Sequence, residues 1–209
     1  DRPVIQHIQF TILPPIYTQE NQFQHPGNIT DVAIPDGSRI RLTTKSSKIL
    51  HSAWVMLNNN QHDLYVNQKR TSGTFHITEQ TTASIYVQDE NGVRNLHPPH
   101  YRISIIQDAP PDVIVRSPSR QFELDESDLI GFDIQTSDDY GFSAAWIEYR
   151  LKAPDYLPQD TILYIRNISE IQRNVKSQQI YHEWNISEFA LAPEDELHIQ
   201  VVIADNNIL

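Results

Sequence analysis

The sequence predicts an all-β protein built from two immunoglobulin-like β-sandwiches in tandem. The main observation is an internal repeat: Ser38–Trp54 aligns without a gap with Ile130–Trp146, and the apolar positions of the two stretches coincide. A second match pairs Ser84–Asn91 with Gln200–Asn207. This match lies farther from the tryptophan in the later copy than in the first, which indicates an insertion at about residues 152–176. Two copies of one structural unit therefore account for the chain.

Short segments rich in β-branched and aromatic residues recur at intervals of about 8–12 residues, a pattern typical of a β-sandwich. The last segment alternates so regularly that it is expected to be a central, well-buried strand. Helix content should be very low, with single helical turns at most within Asn167–Lys176 and Glu188–Pro193, because no window of about 12 residues keeps a helical period. Strands are expected at Val4–Leu13, Ile29–Ile34, Arg39–Thr43, Ser52–Leu57, Asp63–Val66, Thr74–Ile77, Ala83–Val87, Tyr101–Ile106, Val113–Val115, Leu129–Thr136, Ala145–Leu151, Ile162–Ile165, Gln179–Ile186 and Leu197–Ile203.

The boundary between the two units is expected at Asp108–Asp112, with the sequence DAPPD. Its two prolines fix φ and cannot donate to a β-ladder, so the link should be short and stiff. The predicted domains are residues 1–108 and 109–209. Because the sequence reaches Leu209 directly after an Asn-rich turn, we expect the second sandwich to lack its last strand and the chain to be part of a longer protein. Strand Leu197–Ile203 then keeps an open flank, which favours strand addition.

The composition disfavours several classes of partner and chemistry. The 27 acidic and 16 basic residues give a net charge of −11, which provides no electrostatic footprint for nucleic acid or for an anionic membrane surface. The absence of cysteine excludes disulfides, zinc–thiolate sites and cysteine catalysis. A hydrophobic content of 39% and a mean hydropathy of −0.48 fit a soluble globular protein and not a disordered one.

Motifs for catalysis are missing from the sequence. No Gly-x-Ser-x-Gly segment provides a nucleophile elbow, and six glycines leave no phosphate-binding loop. Pairs of acidic residues arise by chance among 27 acids, so they say little about glycosidase chemistry. We therefore predict that the protein is not an enzyme and needs no cofactor.

A group of carboxylates is the most informative candidate site. In an immunoglobulin-like sandwich the turn that contains Asp138 and Asp139 lies at the end where the chain enters, near Asp108, Asp112 and Asp205. Oxygen ligands that converge at a domain junction suit calcium. The alternative is that Asp138 and Asp139 cap a turn through bonds to the backbone. The spacing matches no calcium-loop motif, so the cap is the preferred interpretation and no metal site is predicted.

The nine histidines are scattered along the chain. His97 and His100 flank two prolines that forbid a helix, and no third ligand is adjacent, so both are expected to be solvated loop residues. His182 and Trp184 alternate with Ile180, which indicates one face of a sheet.

The two copies of the repeat carry a tryptophan at the same position, Trp54 and Trp146. An immunoglobulin-like domain has a core tryptophan on its third strand, yet alternation places Trp146 on the face of Glu148 and opposite Ile147. Either a bulge turns the tryptophan inward, which is the preferred interpretation, or both residues pack on an outer face and offer aromatic surface to a partner or a sugar.

Three short stretches resemble one known family. Ile12–Thr18 (ILPPIYT), Pro35–Ser38 (PDGS) and Asp138–Phe142 (DDYGF) are similar to turn signatures of the domain-of-unknown-function family 4175, which comprises large bacterial envelope proteins. Members have N-terminal transmembrane helices followed by a long extracytoplasmic region. The resemblance extends over both units and implies an immunoglobulin-like pair on the outer side of the inner membrane. The chain departs from the family at Gln19, where members often have glycine.

The function predicted from these observations is that of a non-catalytic spacer or protein-interaction module, located in the periplasm or on the extracytoplasmic face of a bacterial inner membrane. The chain itself is not expected to contact the membrane. The alternative is a carbohydrate-binding or adhesive module that uses exposed aromatic residues or calcium at the domain junction.

Overall fold

The computed structural model describes residues 1–124, 128–158, 160–189 and 191–207. Among these residues the regular structure is β-strand apart from two short 3₁₀ helices, Ile16–Thr18 and Ser187–Phe189. The low helix content agrees with the sequence prediction, and no described helix is long and apolar enough to cross a bilayer. The strands are β1 (Ile5–Leu13), β2 (Phe23–Pro26), β3 (Asp31–Pro35), β4 (Arg39–Ser46), β5 (Leu50–Leu57), β6 (Asn60–Asp63), β7 (Tyr65–Asn67), β8 (Arg70–His76), β9 (Thr81–Asp89), β10 (His100–Ile106), β11 (Asp112–Ser117), β12 (Leu129–Ser137), β13 (Phe142–Lys152), β14 (Tyr164–Asn167), β15 (Ser177–Asn185) and β16 (Glu196–Asp205).

The chain divides into two compact units, unit 1 (Asp1–Asp108) and unit 2 (Ala109–Leu209). The division falls at the start of the Pro110-Pro111 segment, where proline removes backbone donors and limits pairing with either unit.

Unit 1 is a sandwich of two five-stranded sheets. Sheet 1 has the order β2-β1-β4-β8-β7, and sheet 2 has the order β3-β10-β9-β5-β6. All pairs are antiparallel except β3 with β10, which run parallel. Strands β1, β4 and β8 share sheet 1, and β5, β9 and β10 share sheet 2, which is the immunoglobulin arrangement of strands A, B and E against C, F and G.

Strict alternation along the strands builds the core of unit 1. In β4, Ile40 and Leu42 are 2% and 1% exposed, whereas Arg39 and Arg41 face solvent. Phe10 of β1 is the Cα partner of Leu42 and points to the same side. Each such side chain contributes about 1.5–3 kcal/mol when it is fully buried, so the register of β1 on β4 is strongly fixed.

Unit 2 repeats this framework with fewer strands among its described residues. Sheet 3 has the order β11-β12-β15 and sheet 4 the order β14-β13-β16. The repeat places β12, β13 and β16 at the positions of β4, β5 and β9. Its core is formed by buried residues of both sheets, among them Phe132, Ile134 and Ile147. The predicted fold class, a tandem of two immunoglobulin-like sandwiches, is confirmed.

The insertion in unit 2 supplies the edge strand β14 rather than a helix. The single helical turn considered for Asn167–Lys176 is absent, since this described segment forms short turns. Ile168, 2% exposed, anchors the segment in the core, and its amide donates to the carbonyl of Ala145 at 2.9 Å.

Two turns in unit 1 follow from local backbone chemistry. In the predicted Pro35–Ser38 turn the amide of Ser38 donates to the carbonyl of Pro35 at 3.2 Å, and Gly37 has the positive φ, +75°, that glycine accommodates at no steric cost. Gln19, the position of departure from the resembled family, also has a positive φ of 57°. The turn forms there with a residue that is strained in this conformation.

Replacing Gln19 by glycine is expected to raise the free energy of unfolding by about 0.5–1 kcal/mol, because glycine adopts positive φ without a Cβ clash. Urea denaturation measures the change. Gln24→Gly, in the edge strand β2, serves as the matched control and should lower stability, since glycine weakens a strand. Equal destabilisation by both substitutions would contradict the assignment of strain to Gln19.

Candidate functional site

Asp138 closes the turn between β12 and β13. Its Oδ2 atom accepts hydrogen bonds from the backbone amides of Tyr140, at 2.7 Å, and Gly141, at 2.6 Å. Gly141 has a φ of +119°, a conformation that favours glycine. The capping role preferred on sequence grounds is therefore what the side chain of Asp138 performs.

The other carboxylates of unit 2 that the sequence singled out, Asp112, Asp139 and Asp205, lie near this turn. Burial raises the pKa of Asp138, the two amide donors lower it, and the charges of Asp205 and Asp139 raise it further, so the net shift is upward. Asp205 accepts a hydrogen bond at Oδ1 from the amide of Asn207, at 3.0 Å, and Asp112 pairs with Ser137, the neighbour of Asp138. Mutual repulsion therefore acts among three of the acids that the sequence singled out.

Asp108, the remaining predicted carboxylate, belongs to unit 1. Among the described residues, no group of three or more acidic or histidine side chains is arranged so that it could hold a metal ion.

Trp54 and Trp146 lie on the outer faces of their sheets, so the preferred prediction that a bulge turns them inward is wrong. Ala53 and Val55 of β5 point into the core, and Trp54 between them points away from it. Trp146 likewise lies between the buried residues Ala145 and Ile147. The register shifts in β5 and β13 occur before the tryptophan, between Leu50 and Ser52 and between Phe142 and Ala144, and leave the alternation intact.

Neighbouring side chains cover these tryptophans. Trp54 is 8% exposed, because it stacks on Tyr86 at a ring distance of 5.5 Å and lies under Arg94, whose guanidinium carbon is 4.9 Å from the ring centroid. Trp146 is half-buried and donates from Nε1 to Glu148 at 3.0 Å. A flat exposed aromatic platform, on which the carbohydrate alternative depended, is not present at Trp54.

The histidines fall into two groups. His97 is an exposed residue outside the strands, as predicted, whereas His100 is exposed but is the first residue of β10 and not a loop residue, with Nδ1 2.7 Å from the hydroxyl of Ser84. His182 is 8% exposed on the inner face of β15, with Nδ1 3.0 Å from Glu170. Burial is the largest single influence and would raise the pKa of Glu170, but the hydrogen bonds from His182, from the backbone amide of Glu170 and from Ser169 together outweigh it, so the net shift is downward. Sequence reasoning missed this pair because Glu170 lies in the insertion.

The strand β16 has an open edge. In unit 1 its counterpart β9 pairs with β5 on one side and β10 on the other, whereas β16 pairs with β13 alone among the strands that the structure describes. The prediction of a central, well-buried strand over Leu197–Ile203 is therefore wrong, whereas the open flank expected for this strand is present among the described residues.

The inner face of β16 is less covered than that of β9. Ile85 and Val87 of β9 are both 0% exposed, whereas the aligned Val201 is half-buried and Ile203 is 8% exposed. The same apolar pattern thus leaves apolar surface in contact with water in unit 2.

The strand β11 shows the same difference from its counterpart β1. Val115 pairs with Ile134 as Phe10 pairs with Leu42, yet Val115 is 41% exposed and Phe10 is 2% exposed. In unit 1 the ring of Phe10 lies against Tyr101 of β10, with centroids 4.6 Å apart. Unit 2 has no described residue in that role.

We call this uncovered surface the open side of unit 2 and define it by the inward-facing side chains of β11 and β16: Val113, Val115, Leu197, Ile199 and Val201. A groove of about 1050 Å³ reaches from Leu197 and Ile199 to the core residue Ile130. In unit 1 the strands β3 and β10, which extend the sheet of β9, contribute Val32, Ile34, Tyr101 and Ile103, each no more than 4% exposed.

No known protein family model matches the chain, and no curated protein matches it. Among solved structures, the chain is similar to the fibronectin(III)-like modules of Clostridium thermocellum CbhA, at 10% sequence identity and a TM-score of 0.28, over 84% of this chain and 82% of that one. The fold assignment above depends on strand order and register and not on this similarity.

The substitutions Asp138→Asn and Asp138→Ala are expected to act in opposite directions at pH 7. Asparagine keeps an oxygen acceptor for the two amides and removes the repulsion from Asp205 and Asp139, so stability should be equal or higher. Alanine leaves two amide donors without their acceptor and should cost about 1 kcal/mol. Chemical denaturation measures both.

The pH dependence separates charge from capping. Because the pKa of Asp138 is raised on folding, its contribution to stability is complete below the unfolded pKa and is lost as pH rises through the folded pKa. The advantage of Asp138→Asn should therefore disappear on acidification. An advantage that persists at a pH where Asp138 is protonated would contradict the charge argument.

Proposed function

We propose that this chain is a protein-interaction module of a bacterial envelope protein, located on the extracytoplasmic side of the inner membrane. The observation that carries the proposal is the open side of unit 2. Its partner is an extended segment of another polypeptide, which adds to β16 as β10 adds to β9 in unit 1.

The chemistry of the open side favours a strand with apolar residues at alternate positions. A strand that pairs with β16 satisfies the backbone groups along its open edge, and alternate side chains of that strand cover Val115, Ile199 and Val201. Main-chain hydrogen bonds then provide affinity, and the side-chain pockets provide specificity, as in other cases of β-strand addition. Each half-exposed aliphatic side chain that becomes covered adds about 1 kcal/mol.

The location of the module is supported by the resemblance of three turn signatures to family 4175, whose members carry their long region outside the inner membrane. The absence of cysteine is compatible with an envelope domain that depends on its apolar core for stability.

The test uses a synthetic peptide that copies residues 99–108 of this chain (PHYRISIIQD), which contain β10. The peptide is expected to bind the whole chain and, at a free concentration of about 100 times its Kd, to stabilise it by about 2.7 kcal/mol. Calorimetry and thermal melting measure binding and stabilisation. The control peptide has aspartate in place of Tyr101 and Ile103 and should not bind.

Two neighbouring substitutions on β11 locate the binding site. Val115→Lys places a charge on the inner face and should weaken binding of the peptide at least about tenfold. Ile114→Lys introduces the same charge on the outer face, where Ile114 is 57% exposed, and should leave binding unchanged.

Equal binding by both variants would contradict the proposed site. Loss of peptide binding by a chain extended beyond Leu209 would contradict the proposed partner, because the open side would then be filled by the same polypeptide. A dimer that forms without peptide and is dissociated by Val115→Lys would contradict it as well, since the occupant would be a second copy.

A further inference from the structure

The outer face of sheet 1 carries a charge opposite to that of the whole chain. The net charge of the protein is −11, yet no aspartate or glutamate occurs in any of the five strands β2, β1, β4, β8 and β7. We call nine of the outward-facing side chains of this sheet the basic face: His7, Gln9, Arg39, Arg41, Thr43, Lys45, Tyr65, Arg70 and Ser72.

Strand register brings the cations of the basic face together. Lys45 of β4 lies directly opposite His7 of β1 on one side and Arg70 of β8 on the other. Neighbouring strands are about 5 Å apart, so these three side chains form one row across the sheet. Arg41 and Arg39 continue the charge along β4.

This arrangement is unfavourable for folding alone. Like charges directly opposite each other on one face destabilise a sheet, and among the described residues no carboxylate forms an ion pair with any of the four arginine and lysine side chains. An anion that binds between them would relieve the repulsion.

Uncharged groups complete the basic face. The row beside Lys45 contains Gln9, Thr43 and Ser72, and Tyr65, 71% exposed, lies opposite Ser72. A shallow groove of about 460 Å³ lies over these residues and over the row formed by His7, Lys45 and Arg70. Amide and hydroxyl groups exchange hydrogen bonds with sugar hydroxyls, the phenol ring covers one face of a pyranose, and arginine and lysine bind carboxylates.

We infer that the basic face of unit 1 binds an acidic polysaccharide whose carboxylates lie on Lys45, Arg70 and Arg41 and whose sugar ring stacks on Tyr65. Charge complementarity, the exposed aromatic ring and the intervening hydrogen-bonding groups together select this occupant. Single-stranded nucleic acid fits less well, because it is bound on a series of stacking aromatic residues and this face presents one. The site lies in a different unit from the open side proposed above and does not depend on it.

The test measures binding of the whole chain to oligogalacturonate, a linear uronate, by calorimetry at low salt. The fully methyl-esterified oligomer keeps the sugar rings and lacks the charges, so it should bind at least about tenfold more weakly. Affinity for the uronate should fall as salt is added, because exposed charges are screened. Equal affinity for both oligomers, or equal or tighter binding of single-stranded DNA, would overturn the inference.

Three variants locate the site. Lys45→Gln with Arg70→Gln should weaken uronate binding at least about tenfold and raise the melting temperature of the free protein by roughly 1–3 °C, since like-charge repulsion is removed. Tyr65→Ala should weaken binding of both oligomers through loss of stacking. Arg102→Gln removes an exposed charge from sheet 2 and should change neither uronate binding nor the melting temperature. An effect of Arg102→Gln as large as that of the double variant would show non-specific attraction and overturn the site.

Discussion

Burial of alternate side chains between two sheets is the constraint on which the rest of each unit depends. In unit 1 the residues Ile40, Leu42, Ile85 and Val87 are at most 2% exposed, and shifting any of their strands by one residue would turn apolar side chains to water. The same constraint sends every intervening residue outward. Trp54 and Trp146 therefore point outward, and the basic face is assembled, because side chains alternate between the two faces of a strand and the other face forms the core.

Unit 2 satisfies that constraint incompletely in the part of the chain that the structure describes. Its strands β12, β13 and β16 keep the apolar pattern of β4, β5 and β9, yet Val115 and Val201 are exposed or half-buried where their counterparts are covered. An apolar surface of this kind lowers stability until a further strand covers it. Because of the repeat, β10 of unit 1 shows what kind of strand would cover this surface of unit 2.

Alternation and the repeat were sufficient to predict the fold class and most strands, because both are local properties of the sequence. They did not predict β2 or the division of the expected strand Asp63–Val66 between β6 and β7, which lie in different sheets. The cap at Asp138 was also predictable from turn chemistry. The burial of Leu197–Ile203 was not, since it depends on neighbours across the sheet. The pair of Glu170 and His182 depends on how the insertion lies against β15. The row of His7, Lys45 and Arg70 depends on the register between distant strands, and the overall charge of −11 conceals this local group of basic residues. For the tryptophans, alternation was right and analogy with the immunoglobulin core was wrong.

Hydrogen exchange of backbone amides tests the central claim most directly, namely that β9 is covered on both edges and β16 on one. The amides of β16 that point away from β13 should exchange at least about tenfold faster than those at the aligned positions of β9, because opening of an uncovered edge requires only local fluctuation. Addition of the β10 peptide should slow these amides selectively. Equal protection of β9 and β16 in the free protein would contradict the account, since the edge of β16 would then already be occupied.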